Sequence, residues 1–159
     1  MIVRAAGAGA LATVVMDAAM VGAAAVGGRA FASERLEPQI IGRWAAGLMR
    51  GRLRHEEITG EQPVPGELAL GIATHYATGA ILAEVLLLAP GRRAHPFASA
   101  VAYGIATAGL PMLVLFPSLG YGPLGIRSGE AARLNRIMLV GHVAFGVGLG
   151  FWVPRAVRR

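Results

Sequence analysis

The feature that most constrains this sequence is a set of four long apolar segments. They cover about residues 5–28, 68–89, 96–116 and 134–153, and each is close to the roughly 20 residues that cross a bilayer as a helix. Backbone polar groups inside lipid must be hydrogen-bonded within the segment, so segments of this length are helices. The sequence therefore predicts an all-α fold, an integral membrane four-helix bundle that forms one transmembrane domain over residues 1–159.

The composition supports a membrane environment and argues against a nucleic-acid partner. Hydrophobic residues make up 55% of the chain and charged residues 15%, against about 25% charged in soluble domains. The formal charge is +6, but a nucleic-acid binder needs a basic stripe on a folded surface. Here the arginines bracket apolar segments, as they do in membrane proteins. The predicted partner is the lipid bilayer.

The first apolar segment has a second interpretation, as a signal peptide. Arg4 would be its basic region, and Ala30-Phe31-Ala32 resembles the small-residue motif at which signal peptides are cleaved. The apolar stretch is longer than the 7–15 residues of a signal peptide core, and Asp17 interrupts it. A retained membrane helix is the favoured prediction.

The connection over residues 29–67 is the only long one. Apolar residues recur at helical spacing in it, with Trp44 among them, and predict a short amphipathic interfacial helix over about residues 38–50. Trp44 is expected at the level of the lipid headgroups. A charged run follows, and we expect it to contact anionic lipid at the interface. The predicted contacts in that run are Arg50, Arg52, Arg54 and His55.

The distribution of arginine bears on orientation. Four spans place both termini and residues 90–95 on one side of the membrane, and residues 29–67 and 117–133 on the other. The side with the termini carries its arginines in very short segments, which is where the positive-inside rule counts them. The longer connections on the other side carry more arginines in total. The density of arginine and the total number of arginines therefore favour opposite orientations. Density favours both termini in the cytoplasm.

Four polar side chains interrupt the apolar helices, and they are Asp17, His75, Tyr76 and His142. A carboxylate at the centre of a span costs about 2.5–3.5 kcal/mol, so it is expected to face other helices. Glycines at four-residue spacing lie on the same helix faces, and small residues mark the surfaces where membrane helices pack. Both imidazoles lie about 8–12 Å from the same membrane surface. We predict that the four side chains form one buried polar centre.

Three roles for this centre stay open. The side chains can hydrogen-bond each other as packing contacts, or form a proton or ion pathway. Alternatively, His75 and His142, with Asp17 near, can ligate a metal ion or hold a haem. No cofactor is required by the sequence. No phosphate-binding Gly loop with its Lys, His-Glu-x-x-His or Gly-x-Ser-x-Gly motif is present, so an enzyme is not favoured.

Several motifs resemble one bacterial family. They include Gly42-Arg43-Trp44, the run from Arg50 to His55, Gly66-Glu67-Leu68-Ala69-Leu70-Gly71 before His75-Tyr76, Pro117-Ser118-Leu119-Gly120, and His142 before Phe145-Gly146-Val147-Gly148-Leu149. In order and spacing they are similar to domain-of-unknown-function family 2938. The resemblance implies a four-helix protein of the bacterial inner membrane and implies no activity. Its motif also places Asp17, Arg54, His55, His75, Tyr76 and His142 at matching positions.

The favoured function is a non-enzymatic membrane component, either an accessory subunit or a small carrier of protons or ions. Glycine-lined helix faces suit a homo-oligomer or docking on another membrane protein. One alternative is a membrane redox, metal or haem protein that uses His75 and His142. Another is an enzyme that acts on lipid headgroups, with His55 and its neighbouring arginines at the interface.

Overall fold

The computed structural model describes residues 2–88 and 94–157, and within these ranges the chain is helical with no strand. This confirms the all-α prediction. Five helices carry the fold. They are α1 (Ile2–Gly27), α2 (Pro38–Met49), α3 (Glu67–Leu86), α4 (Pro96–Thr107) and α5 (Ala131–Val157).

Four stretches of the described chain are long and apolar enough to cross a membrane. They are Arg4–Phe31, Glu67–Leu86, Pro96–Ser118 and Ala131–Ala156. The predicted end of the second span, at residue 89, lies outside the described residues. The fourth helix continues through Pro154 to Val157, beyond its predicted end at residue 153. A proline removes one backbone hydrogen bond, and this close to the end of a helix the chain tolerates that loss.

The helices approach each other at small residues. α1 packs against both α3 and α5, and α4 packs against α5. On α1, a Cβ at Gly9 would lie 2.7 Å from the Cβ of Ala83 on α3, and a Cβ at Gly79 on α3 would overlap the hydroxyl oxygen of Thr13. A Cβ at Gly148 on α5 would lie 2.9 Å from the Cα of Ala12. Small side chains therefore set the distances between the helices.

The third span is irregular at Pro111. After α4, residues Pro111–Leu115 form one π-helical turn, and the N–H of Phe116 donates to the carbonyl oxygen of Pro111. Proline has no N–H and its ring clashes with the carbonyl one turn earlier, so the helix widens there. A last turn, Phe116–Ser118, completes the span.

The two connections on one side of the bundle pack together as a cap, which we define as residues 28–66 and 119–130. The backbone N–H of His55 donates to the carbonyl oxygen of Ser118 at 2.8 Å, and that of Ile58 donates to Leu119 at 3.2 Å. Tyr121 is fully buried with Ile58 and Leu119 in an apolar cluster. The cap is thus a packed part of the fold.

α2 lies against the first turns of α3. A Cβ at Gly42 would overlap the carbonyl oxygen of Glu67, and one at Gly71 would overlap that of Pro38. Trp44 packs against the apolar cluster of the cap, and its Nε1 is buried without a hydrogen-bond partner in the described chain. The indole is therefore partly covered by protein at the position where the sequence predicts a headgroup contact.

Candidate functional site

Three of the four predicted intramembrane polar residues meet halfway along the bundle. The Nε2 of His75 lies 2.9 Å from Oδ1 of Asp17, and the hydroxyl of Tyr76 donates to Oδ2 of the same carboxylate at 2.9 Å. The two rings stand edge to face, with centroids 5.7 Å apart. We call this group the triad. Both carboxylate oxygens are engaged by side chains of one neighbouring helix.

The crossing of α1 and α3 brings the triad together. The helices run antiparallel, since Gly9 faces Gly79 while Asp17 faces His75. The hydroxyl of Thr13 donates to the carbonyl oxygen of Gly9, one turn earlier on α1, at 3.0 Å. Because this hydroxyl is satisfied within its own helix, it needs no partner on α3, and the two helices can approach closely. The close glycine contact therefore positions Asp17 two turns farther along α1, level with His75.

The triad lies at the surface of the chain and is only partly covered. The side chains of Asp17 and His75 each keep 36% of their surface exposed. At hydrocarbon depth this exposure is toward lipid or toward another protein, and both are costly for a charge that has no partner. The hydrogen bonds from His75 and Tyr76 lower that cost by neutralising or satisfying the carboxylate.

His142 is not hydrogen-bonded to the triad. It is buried on α5, and its Nδ1 donates to the carbonyl oxygen of Met138, one turn earlier, at 2.9 Å. No side-chain hydrogen bond joins it to Asp17 or His75 within the described chain. α5 contacts α1 at Gly141, where Met16 and Met20 lie. The structure thus joins three members of the predicted polar centre by hydrogen bonds, while the fourth is hydrogen-bonded to its own helix.

The predicted metal ligands are His75, His142 and Asp17. Among residues 2–88 and 94–157, no group of three His, Asp or Glu side chains is placed to hold a metal ion. The Nε2 of His75, which an axial haem ligand would use, is engaged by Asp17. Ligation at His75 would require that hydrogen bond to break.

A second polar cluster lies in the cap and is centred on Arg43. Its guanidinium makes a bidentate pair with Glu67, at 2.9 and 3.0 Å, and also donates to the carbonyl oxygens of Ile58 and Glu61. The hydrogen bond with Glu67 is the main cause of a raised pKa of Arg43. Arg43 lies three residues after the buried Ile40, a spacing that already marks it as a member of the buried face of α2.

His55 is also part of this cluster, and its position differs from the expected lipid contact. Its side chain is 1% exposed, and its Nδ1 lies 2.8 Å from Oε1 of Glu61. Arg52 donates to the same oxygen at 2.6 Å. Burial opposes ionisation of Glu61, but the hydrogen bonds and charges of His55 and Arg52 outweigh it and lower the pKa of that carboxyl. The three arginines of the predicted interfacial contact, Arg50, Arg52 and Arg54, are all exposed.

The four apolar spans and the polar triad between two of them define the class of this chain, a polytopic α-helical membrane protein. Residues 6–157 match the family described as protein of unknown function (DUF2938), and the chain belongs to that family. No curated protein and no solved structure matches the chain.

Proposed function

We propose that this protein is a proton-binding component of the bacterial inner membrane, with the triad as its proton site. The observation that carries the proposal is the pairing of Asp17 with His75 at the middle of two spans, with one third of each side chain exposed. Ionisable groups in membrane helices are rare, pair with one another and mark proton and ion pathways.

The chemistry of the pair suits one exchangeable proton. An ionised Asp17 beside a neutral His75 carries one negative charge, and one added proton makes the pair neutral whichever residue holds it. Low dielectric favours the neutral state, while the hydroxyl of Tyr76 stabilises the charged carboxylate. These opposing effects allow uptake and release.

The exposed side of the triad also supports a role as a subunit. Beyond Asp17, α1 has little cover from the rest of the chain, since Val21 is 70% exposed and Val26 is 94% exposed. A second copy of the chain, packed on this side, would shield the triad from lipid while it contributes small residues at the contact. Crosslinking in native membranes through a single cysteine at Val21 would detect that copy, and monomers alone would contradict it.

We further propose that both termini face the cytoplasm and the cap faces the opposite side. The support is the density of arginine near the termini and in the short connection between α3 and α4, because positive residues in short segments set orientation. The chain has no cysteine, so one introduced at Gly51 can be labelled by an impermeant thiol reagent. Labelling in intact cells is expected. Labelling only after lysis would show that the cap faces the cytoplasm instead.

Proton binding is tested by replacing Asp17 with Asn. We expect proteoliposomes of the natural protein to take up protons down an imposed pH gradient, as a pyranine signal reports, and Asp17→Asn to reduce this flux to the level of vesicles without protein. The amide retains the size of the carboxyl but does not take up or release a proton as the pH changes. The carboxyl band in pH-difference infrared spectra should be lost in parallel.

A pair of tyrosine variants provides the matched control. Tyr76→Phe removes a hydrogen bond to Asp17, whereas Tyr103→Phe removes one to the carbonyl oxygen of Leu82, at 2.9 Å, elsewhere in the bundle. Tyr76→Phe should alter the pH dependence of the flux, and Tyr103→Phe should leave it unchanged. Equal flux in the natural protein and in Asp17→Asn would refute the proposal.

A further inference from the structure

A cavity of about 460 Å³ opens in the cap, between the end of α2 and the loop that follows it. Its volume is in the range of small-molecule sites. The triad lies elsewhere, so the proton site does not account for this cavity. The polar residues that line it are Arg43, Arg50, Arg52, His55, Glu61 and Gln62.

The charges around the cavity do not balance. Arg43 is paired with Glu67, and Arg52 is paired with Glu61. Arg50 is exposed and forms no side-chain ion pair within the described chain. Three guanidinium groups thus face two carboxylates, which leaves one positive charge on the cavity wall. Glu61 repels an anion only weakly, because His55 and Arg52 already share one of its oxygens.

Besides Arg50, the ring of His55 has a polar atom without a partner in the described chain, its Nε2. Its Nδ1 faces the carboxylate of Glu61 and therefore carries a proton. Its Nε2 is buried, has no hydrogen-bond partner in the described chain and lies at the wall formed by Gly47. A buried polar atom without a partner costs about 1–3 kcal/mol. In the neutral ring this nitrogen is an acceptor; when the ring carries both protons, Nε2 is a second N–H donor, and an anionic ligand oxygen is the partner that it then lacks.

We propose that the cavity binds the phosphate group of an anionic ligand. The planar guanidinium of Arg50 is suited to phosphate oxygens, and the imidazolium form of His55 would donate to a further oxygen through Nε2. The cavity lies at one end of the bundle, because α2 packs on the first turns of α3. This end of α3 is where a span leaves the bilayer, so the phosphate can come from a phospholipid headgroup or from a soluble compound.

The test measures binding to the whole protein in nanodiscs and separates the two sources. One arm compares the number of phosphatidylglycerol molecules that native mass spectrometry finds retained with the number of phosphatidylcholine molecules. The other titrates inorganic phosphate and glycerol phosphate into nanodiscs of phosphatidylcholine. We expect Arg50→Ala to weaken binding about tenfold in whichever arm shows it, as expected for a hydrogen bond to a charged group.

Arg54→Ala is the matched control, because Arg54 is exposed in the same charged run but does not line the cavity. Retention of phosphatidylglycerol alone assigns the site to a lipid, and binding of the soluble phosphates assigns it to a soluble ligand. No binding in either arm, or equal weakening by Arg50→Ala and Arg54→Ala, would overturn the proposal. Asp17→Asn should bind phosphate normally, so this site and the proton site can fail separately.

Discussion

Replacing Arg43 with Met is expected to destabilise the protein by about 3–5 kcal/mol, the usual cost of breaking a buried ion pair by removing one partner. The side chains of Arg43 and Glu67 are only 8% and 12% exposed. The variant leaves the carboxylate of Glu67 with one remaining donor, the N–H of Val64 at 2.9 Å. It also removes the donors to the carbonyl oxygens of Ile58 and Glu61. Unfolding by increasing fractions of dodecyl sulfate in mixed micelles measures the change.

Two further variants separate charge from packing. Arg43→Met combined with Glu67→Gln removes both charges, and it should recover much of the loss because no buried charge remains unpaired. Arg54→Ala removes an exposed arginine of the same region and should change stability by less than about 0.5 kcal/mol. If Arg43→Met unfolds like Arg54→Ala, the buried pair does not hold α2 on α3.

Gly42→Ala is the second change with a large expected effect. Its Cβ would overlap the carbonyl oxygen of Glu67, a backbone atom that cannot rotate away. We expect a loss of about 1–3 kcal/mol or more, which is the range for overpacking a close contact. Gly71→Ala should behave alike, because its Cβ would overlap the carbonyl oxygen of Pro38 on the facing helix.

Gly7→Ala is the control for this class of substitution. Gly7 is also helical, but a Cβ there would meet nothing within 4 Å, so the variant should be as stable as the natural protein or up to about 1 kcal/mol more stable. The same micelle titration compares the three variants. Equal stability of Gly42→Ala and Gly7→Ala would show that α2 and α3 do not approach as closely as their glycines indicate. Gly42 and Arg43 act on one contact, so their effects should not be additive.

Length and apolarity predicted the spans because lipid leaves the backbone few alternatives to a helix. The π-helical turn at Pro111 has a similarly local cause, since proline cannot donate a hydrogen bond. The ends of the helices were less well predicted. Pro154 reads as a stop signal in the sequence, yet the helix continues past it, because a missing donor matters little near the end of a helix.

The site was predicted in part. Asp17, His75 and Tyr76 were expected to meet, and the structure joins them through two hydrogen bonds. His142 was expected there as well, on the basis of matched depth and a glycine-lined helix face. Depth fixes the height of a residue in the membrane but not the direction in which it faces. His142 instead donates to the carbonyl oxygen of Met138 on its own helix.

The cap shows the same limit most clearly. A charged run in a long connection predicts solvent or lipid contact, and Arg50 and Arg54 follow that pattern while His55 does not. His55 is buried because Ser118, 63 positions later in the chain, accepts its backbone N–H, and Glu61 accepts its ring N–H. No local pattern contains that contact.

By itself, the sequence determined that this chain forms four apolar helices and that ionisable groups lie among them, because solvation by lipid acts on each segment separately. Which of those groups meet was decided by the tertiary structure alone. The small residues on α1, α2, α3 and α5 set which helices touch and at what rotation, and a rotation of one helix is enough to turn a side chain from one neighbour to another. The triad and the buried Arg43 pair are both products of that packing.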